Sequence, residues 1–284
     1  MKNPAMTYAE LERKLTKCLT RMGVESARSE SAWILTELTE LPPLERALAG
    51  QREVAPTLLK TVKDVMRRRL RREPLQYIFG RTYFRKLTLT VNRDVLIPRP
   101  ETELLVDWVL RHAPVNGKIL ELGTGSGAIA LSCADERPDL RITATDVSSA
   151  ALAVAAENAR LLQIEGIDFR LGDLYDAVAA TERFDLIAAN LPYVSCEELA
   201  ELAPEVRLYE PVLALTAAQD GMELLFRAAD GLSQHLLPGG EAIFELSPRQ
   251  AAPLLEKLRR NGFSGTICQD YTGRERFVCA KKEL

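Results

Sequence analysis

Glu121-Leu122-Gly123-Thr124-Gly125-Ser126-Gly127 is the stretch that decides the fold of this chain. It directly follows the apolar run Ile119–Leu122, and a helical pattern opens after it. Glycines at such a junction let the backbone turn tightly and approach a ligand where a Cβ would collide. Working outward, Ile142–Val147, Phe169–Leu171, Phe184–Ala189 and Ala242–Leu246 read as buried strands. Ser148–Leu162 and Gly221–Leu237 read as crossover helices. This alternation predicts an α/β fold: a parallel sheet with helices on both faces.

The N-terminal part has a different period. Thr7-x-x-Glu10 carries a capping-box signature, and Leu11, Leu15, Cys18, Leu19 and Met22 follow at helical spacing. Ser31–Leu41 repeats the pattern through Trp33, Leu35 and Leu38 until Pro42-Pro43 stops it. Pro56 suits the first turn of a third helix in which Leu59, Val62, Val65 and Met66 share a face. From Gln76 to Val91 the period shortens. Tyr77-Ile78-Phe79 and Leu87–Val91 are rich in aromatic and β-branched residues around Gly80, which predicts a β-hairpin. The expected organisation is a helical bundle over residues 1–75, a hairpin linker over 76–97 and a sheet domain over 98–284.

Composition bounds the class of protein. With 284 residues, about 150 per domain gives roughly two domains. Hydrophobic residues at 46% and charged residues at 27% supply a real core and exclude a mostly disordered chain. The longest charge-free stretch, Leu122–Ala134, has 13 residues, short of the ~18 a membrane span needs. Met1-Lys2-Asn3-Pro4 lacks the apolar core of a secretory signal. A net charge of −3 and a pI near 5.7 argue against a nucleic-acid coat. The cysteines Cys18, Cys133, Cys196, Cys268 and Cys279 contain no C-x-x-C, and the two histidines are His112 and His235. Neither a zinc site nor a disulfide framework is expected. The expectation is a cytoplasmic chain with no metal and no membrane association.

The glycine spacing is G-x-G-x-G, with Glu121 two places before the first glycine, and it resembles the loop that holds S-adenosylmethionine. A glycine-enriched strand-to-helix turn is the alternative. Asp146 ends the next strand about 20 residues on, where an acid can accept both ribose hydroxyls. It also suits the N-cap of the following helix, where Ser148 would compete. Asp173 is placed to reach the adenine amino group, with Leu174 lining the ring pocket; a turn aspartate is the other reading. Asn190-Leu191-Pro192-Tyr193 ends the fourth strand and resembles the N-P-P-Y-like tetrapeptide with which amino-methylating enzymes hold a planar nitrogen, which would set the substrate class. A planar nitrogen conjugated to a π system is a poor nucleophile, and two acceptors are needed to orient its N–H groups. The Asn190 side-chain oxygen supplies one. The Leu191 carbonyl supplies the other, its direction fixed by Pro192, and Tyr193 stacks on the flat group. The alternative is a strand-end turn, since Asn and Pro are common there.

Longer segments point to one family. Arg72-Glu73-Pro74-Leu75-Gln76-Tyr77-Ile78-Phe79-Gly80 and Val95-Leu96-Ile97-Pro98-Arg99-Pro100-Glu101-Thr102-Glu103 match its linker signatures. Tyr209-Glu210-Pro211, Asp220-Gly221-Met222, Glu245 with Gln250, and Asp270 with Arg276 match downstream. The chain resembles the protein glutamine methyltransferases that modify peptide chain release factors. The resemblance implies a seven-stranded, Rossmann-like class I methyltransferase domain. A small N-terminal helical-bundle domain that helps bind the release factor, and a β-hairpin linker, would precede it. It also implies methyl transfer from S-adenosylmethionine to the side-chain amide nitrogen of the glutamine in a Gly-Gly-Gln motif. By position, Gly123, Thr124, Gly125, Ser126, Gly127, Asp146, Leu174 and Asn190 would line the cofactor pocket, joined by Asp173. Asn190, Leu191, Pro192 and Tyr193 would hold the glutamine. A monomer working near ribosomal RNA is expected.

Two positions depart from the family pattern: Leu191 stands where proline is usual, and Ser247 where glycine is usual. Asn-Leu-Pro-Tyr also occurs in ribosomal RNA adenine dimethyltransferases, which carry the glycine loop near the chain start; here about 120 residues precede it. An adenine amino-methyltransferase acting on RNA or DNA is the rival reading, with Arg67–Arg72 as its phosphate patch. A non-catalytic adenosylmethionine-binding scaffold is a second rival, one with no need of the amide acceptors. Glu245 either lines the site or is an ordinary strand-end carboxylate.

Overall fold

The computed structural model describes residues 6–217 and 220–283, so the reading made on Met1–Pro4 lies outside the described residues. The chain divides into two compact units, Met1–Phe79 and Gly80–Leu284.

The first unit is helical: α1 (Tyr8–Arg21), α2 (Ala27–Thr39), α3 (Pro43–Leu48), α4 (Pro56–Arg69) and α5 (Leu75–Phe79). The capping box at Thr7 forms as its residues dictate. The Thr7 hydroxyl accepts the Glu10 N–H at 3.3 Å, and the Glu10 carboxylate accepts the Thr7 N–H at 3.0 Å. Leu11, Leu15 and Leu19 of α1 bury against Ile34 and Leu35 of α2 and Val62, Val65 and Met66 of α4. Tyr77-Ile78-Phe79 corrects the hairpin expectation, because these residues lie in α5 and not in a strand. Pro74 opens that turn, with its carbonyl accepting the Ile78 N–H at 3.0 Å, and burial of Leu75 and Tyr77 overrides their strand preference.

The basic run after Met66 is tied to carboxylates and carbonyls. Arg67 pairs with Asp64, Arg68 grips both oxygens of Glu73 at 2.8 Å, and Arg69 grips Glu30 at 2.8 and 3.0 Å. Arg72 donates to the Met22 carbonyl. These side chains stitch the helical unit together, which removes much of the support for a phosphate patch.

The second unit begins with the antiparallel hairpin β1 (Arg81–Phe84) and β2 (Leu87–Thr90). There follow α6 (Thr102–His112), β3 (Lys118–Leu122), α7 (Ala128–Glu136), β4 (Arg141–Asp146), α8 (Ser149–Leu162), β5 (Ile167–Leu171) and β6 (Phe184–Asn190). Three short helices, α9 (Cys196–Leu199), α10 (Pro204–Tyr209) and α11 (Val212–Leu215), precede α12 (Glu223–His235) and β7 (Leu236–Glu245). The last elements are α13 (Pro248–Arg260), β8 (Phe263–Gln269) and β9 (Glu275–Lys282). Among the described residues, seven strands form one sheet in the order β5-β4-β3-β6-β7-β9-β8. Pairing from β5 through β7 is parallel, and β9 runs antiparallel to both its neighbours.

The central strands β3, β4, β6 and β7 are apolar on both faces, and each face has its own core. Leu120, Leu122, Ile187 and Phe244 pack under Leu225, Leu232, Leu254 and Leu258 of α12 and α13. Ile119, Ile142, Leu186 and Ile243 pack under Leu105 and Val109 of α6 and Leu131 of α7. The strand order reverses between β3 and β6. In an open α/β sheet, the crevice outside the carboxyl ends at such a switch point is where ligands bind.

Several boundaries shift by a few residues, β5 for one beginning at Ile167 and not Phe169. β7 starts at Leu236 and not Ala242, because Gly239 takes φ 76° and a register irregularity absorbs Pro238-Gly239-Gly240 within the strand. β8 and β9 were implied only by the family resemblance; exposed positions interrupt β8, and the buried run of β9 is only Phe277–Ala280.

Candidate active site

A cleft of ≈ 360 Å³ opens at the carboxyl ends of β3, β4 and β6. Gly123, Thr124, Gly125, Ser126, Asp146, Asp173, Leu174, Asn190, Leu191 and Pro192 all line it. Gly127 and Tyr193 do not. Gly127 is the N-cap of α7 at φ 81°, and a Cβ there would stand 2.9 Å from Leu131 Cδ1. Its glycine serves helix packing. Gly125, at φ 56° with open space before it, is the loop glycine that leaves room for a ligand.

Hydrogen bonds set aside the N-cap reading of Asp146. Ser148 takes the N-cap of α8 by accepting the Ala151 N–H. Asp146 accepts the Gly125 N–H on Oδ2 at 2.8 Å and the Ser148 N–H on Oδ1 at 2.9 Å. It therefore holds the glycine loop against β4, and its remaining lone pairs are available to the cleft. Burial raises its pKa, and those N–H groups oppose the shift. Beneath the loop, Glu121 is 1% exposed and accepts from the Thr124 hydroxyl and the Ala130 N–H. Burial pushes its carboxyl up to about 8. Leu174 sits at φ 51°, with its carbonyl taking the Thr145 hydroxyl at 3.0 Å. Asp173 pairs with Arg227 at 2.8 Å at the cleft edge.

At the other wall, Asn190 ends β6 and donates from Nδ2 to the Thr102 hydroxyl at 3.2 Å. Leu191 is 4% exposed and packed into the core, where the bare Cα of Gly123 makes room for it. The Tyr193 carbonyl accepts Gln250 Nε2 at 2.8 Å, and the same nitrogen donates to the Gly221 carbonyl at 2.9 Å. Gly221 is at φ 70°, and a Cβ there would strike the Tyr193 carbonyl oxygen. Ser247, the second departure, donates its N–H and hydroxyl to Gln250 Oε1 at 3.0 Å each, which orients the amide that clamps Tyr193. The Tyr193 phenol is pushed up, chiefly by burial and further by the Glu245 charge, with Arg276 and Arg99 opposing. Glu210 holds Arg99 at 2.7 Å, which pins the residues before α6 to the end of α10.

Asn158 escaped the residue reading. Its side chain bonds both the N–H and the carbonyl of Thr90 (2.7 and 3.0 Å) and donates to the Ser126 carbonyl at 2.9 Å. It thereby ties the hairpin to the glycine loop. The available signal was a lone Asn inside the alanine-rich α8, where such a side chain disfavours helix unless it has a partner.

Two family descriptions match the chain: a methyltransferase small domain over residues 100–205 and a PrmC N-terminal domain over residues 10–80. A curated release factor glutamine methyltransferase from Cereibacter sphaeroides is 36% identical over 278 residues, spanning 97% of this chain and 99% of the relative. The chain belongs to the release factor glutamine methyltransferase family. Other members of that name, from Deinococcus radiodurans and Caulobacter vibrioides, are 35% and 39% identical over 98% and 92% of this chain and 99% and 91% of theirs. A methyltransferase structure from Pyrococcus furiosus shares the fold, with a TM-score of 0.51 at 18% identity over 79% of this chain and 98% of that one.

The methyl donor of this release factor glutamine methyltransferase family is S-adenosylmethionine, and the cleft fits it. The Ser126 hydroxyl is 2% exposed with no protein partner, the Asp146 carboxylate has lone pairs free, and Leu174 offers an apolar wall. No described helix is long and apolar enough to cross a membrane.

Proposed function

We propose that this protein transfers a methyl group from S-adenosylmethionine to the side-chain amide nitrogen of the glutamine in the Gly-Gly-Gln motif of peptide chain release factors. The observation that carries the reading is that Asn190 and Leu191 line the same cleft as Gly123–Ser126 and Asp146. Near full-length similarity to relatives named for that activity supports it.

Bound S-adenosylmethionine supplies an electrophilic methyl group on a sulfonium that leaves as a neutral thioether, and the methylated nitrogen afterwards releases one proton to solvent. The residues of the chain do the rest by position. Asn190 Oδ1 and the Leu191 carbonyl accept the two N–H groups of the substrate amide and turn its nitrogen toward the methyl carbon. Pro192 removes one backbone donor and stiffens the turn that aims that carbonyl. Tyr193, outside the cleft lining but next to Pro192 and held at its own carbonyl by Gln250, would meet the flat amide only at the border of the cleft. Holding reacting atoms near 3–3.5 Å accounts for about 7–11 kcal/mol of a barrier without a general base. Residues 1–75 contribute release-factor binding, with 76–97 as the linking segment and 98–284 as the transferring domain. The protein acts as a cytoplasmic monomer near ribosomal RNA.

The test offers labelled methyl donor with purified release factor, a glutamine-to-alanine release factor and ribosomal RNA side by side. Label enters the unaltered release factor alone. Asn190→Ala lowers turnover by about 100-fold or more, the scale of losing one oriented polar contact to the reacting group, and weakens donor binding far less. Label on RNA, or near-normal turnover by Asn190→Ala, overturns the reading.

A further inference from the structure

We propose that Asn158 is a positioning residue that locks the β1–β2 hairpin to the glycine loop, so that binding of the methyl donor and closure of the hairpin are one coupled event. The inference concerns the donor side of the cleft and does not depend on which nitrogen receives the methyl group.

Both ends of the Asn158 amide are engaged. Oδ1 accepts the Thr90 N–H at 2.7 Å, while Nδ2 donates to the Thr90 carbonyl at 3.0 Å and the Ser126 carbonyl at 2.9 Å. An amide NH₂ has two hydrogens, and both are spent. Turning the amide over would set its NH₂ against the Thr90 N–H, so the partners fix one orientation. Asn158 is 1% exposed, and water does not compete for these bonds.

Thr90 ends β2, and among the described residues the hairpin is a two-stranded sheet of its own. The N–H and carbonyl of Thr90 both bond Asn158, which gives this edge the pairing that a further strand would otherwise supply. Beyond Thr90 the chain enters the cleft. The Val91 N–H closes on the Gly80 carbonyl at 3.1 Å, and Asn92 Oδ1 takes the Asp94 N–H at 2.8 Å. Arg93, Asp94, Val95, Leu96 and Pro98 then line the same cleft as Gly123–Ser126. The position of Thr90 is thus carried into the cleft wall through a short, bonded turn.

On the loop side, Asn158 holds the carbonyl of Ser126, a cleft-lining residue whose own buried hydroxyl has no protein partner. Ser126 is gripped through its backbone and leaves its side chain to the donor. One buried amide therefore sets the spacing between two stretches of the cleft lining. A donor that touches both binds the locked arrangement more tightly than an unlocked one, and by linkage it stabilises the hairpin.

The test measures amide hydrogen exchange at Thr90 and calorimetric S-adenosylmethionine affinity in the full chain, for the wild type, Asn158→Asp and Asn158→Ala. Aspartate keeps the shape and the acceptor for the Thr90 N–H, but its carboxylate donates to neither carbonyl. In the wild type, S-adenosylmethionine at about ten times its Kd slows Thr90 exchange by about tenfold. Without donor, Thr90 exchanges faster in both variants. Donor at the same multiple of each variant's own Kd no longer slows it. Donor Kd rises by about tenfold in both, within the usual range of coupling between two sites. A purely structural Asn158 lowers Tm when replaced but leaves donor Kd and the response at Thr90 as in the wild type. That result overturns the inference. Thr90 exchange that ignores the donor in the wild type also overturns it, and this measurement stands even if neither variant folds.

Discussion

The carboxylate of Asp146 receives the backbone N–H of Gly125 at 2.8 Å. The acid at the end of one strand thus shapes the loop at the end of its neighbour, and a single side chain both fixes the loop and faces the ligand space. Hydrogen bonds to a charged group contribute about 1.5–3 kcal/mol. Asp146→Ala is expected to weaken S-adenosylmethionine binding by about 10- to 100-fold, measured by calorimetry. Unchanged affinity would show that the loop keeps its shape without the acid.

Gln250 is buried and is the shared donor for the Tyr193 and Gly221 carbonyls. Gln250→Leu keeps the bulk and leaves both acceptors unsatisfied, at about 1–3 kcal/mol each. Thermal unfolding should show a clear drop in Tm. Turnover should fall with little change in donor affinity, because Tyr193 loses its anchor while Asp146 and Gly125 keep theirs. An unaltered Tm would contradict this account of Gln250.

Glu121 predicts a pH dependence of stability. Burial raises its carboxyl from the ordinary 4.5 to about 8. Between those values the folded chain holds a proton that the unfolded chain has released. The stabilisation is therefore complete below about pH 4.5 and lost as pH rises through about 8. In Tm measurements without methyl donor, Glu121→Gln should remove that part of the alkaline decline. Parallel Tm–pH curves for the two proteins would refute it.

In the proposed function Leu191 acts through its carbonyl, while its side chain fills the core. Leu191→Pro, which restores the residue usual in the family, should keep most of the methyl-transfer rate. It should also cost stability, because burying a leucine side chain contributes about 1.5–3 kcal/mol. A collapse of turnover with normal Tm would mean that the leucine side chain itself orients the substrate.

The parallel half of the sheet was legible in the sequence because buried strands write themselves as continuous apolar runs, as Phe184–Ala189 does. The glycine loop was legible because close approach demands glycine, and the strand-end segment Asn190-Leu191-Pro192 does line the same cleft. β8 was not legible from residues alone, since exposed positions break its run, whereas β9 does hold the short buried run Phe277–Ala280, too brief between charged neighbours to stand out. Tyr77–Phe79 misled because strand propensity reports packing surroundings, and here the surroundings are a helical core. Thr102, Asn158 and Gln250 act through partners 88, 68 and 57 residues away in the chain, at Asn190, Thr90 and Tyr193. Pairings at that range belong to the folded chain and leave no local pattern.

The central claim is that an amide nitrogen is oriented at the end of β6 for methyl transfer. Mass-spectrometric mapping of a release factor after incubation with this protein and S-adenosylmethionine tests it most directly. The account predicts one added methyl group on the side-chain nitrogen of the Gly-Gly-Gln glutamine, absent when Asn190→Ala replaces the wild-type chain. A methyl group on any other residue, or on that glutamine regardless of Asn190, would contradict it.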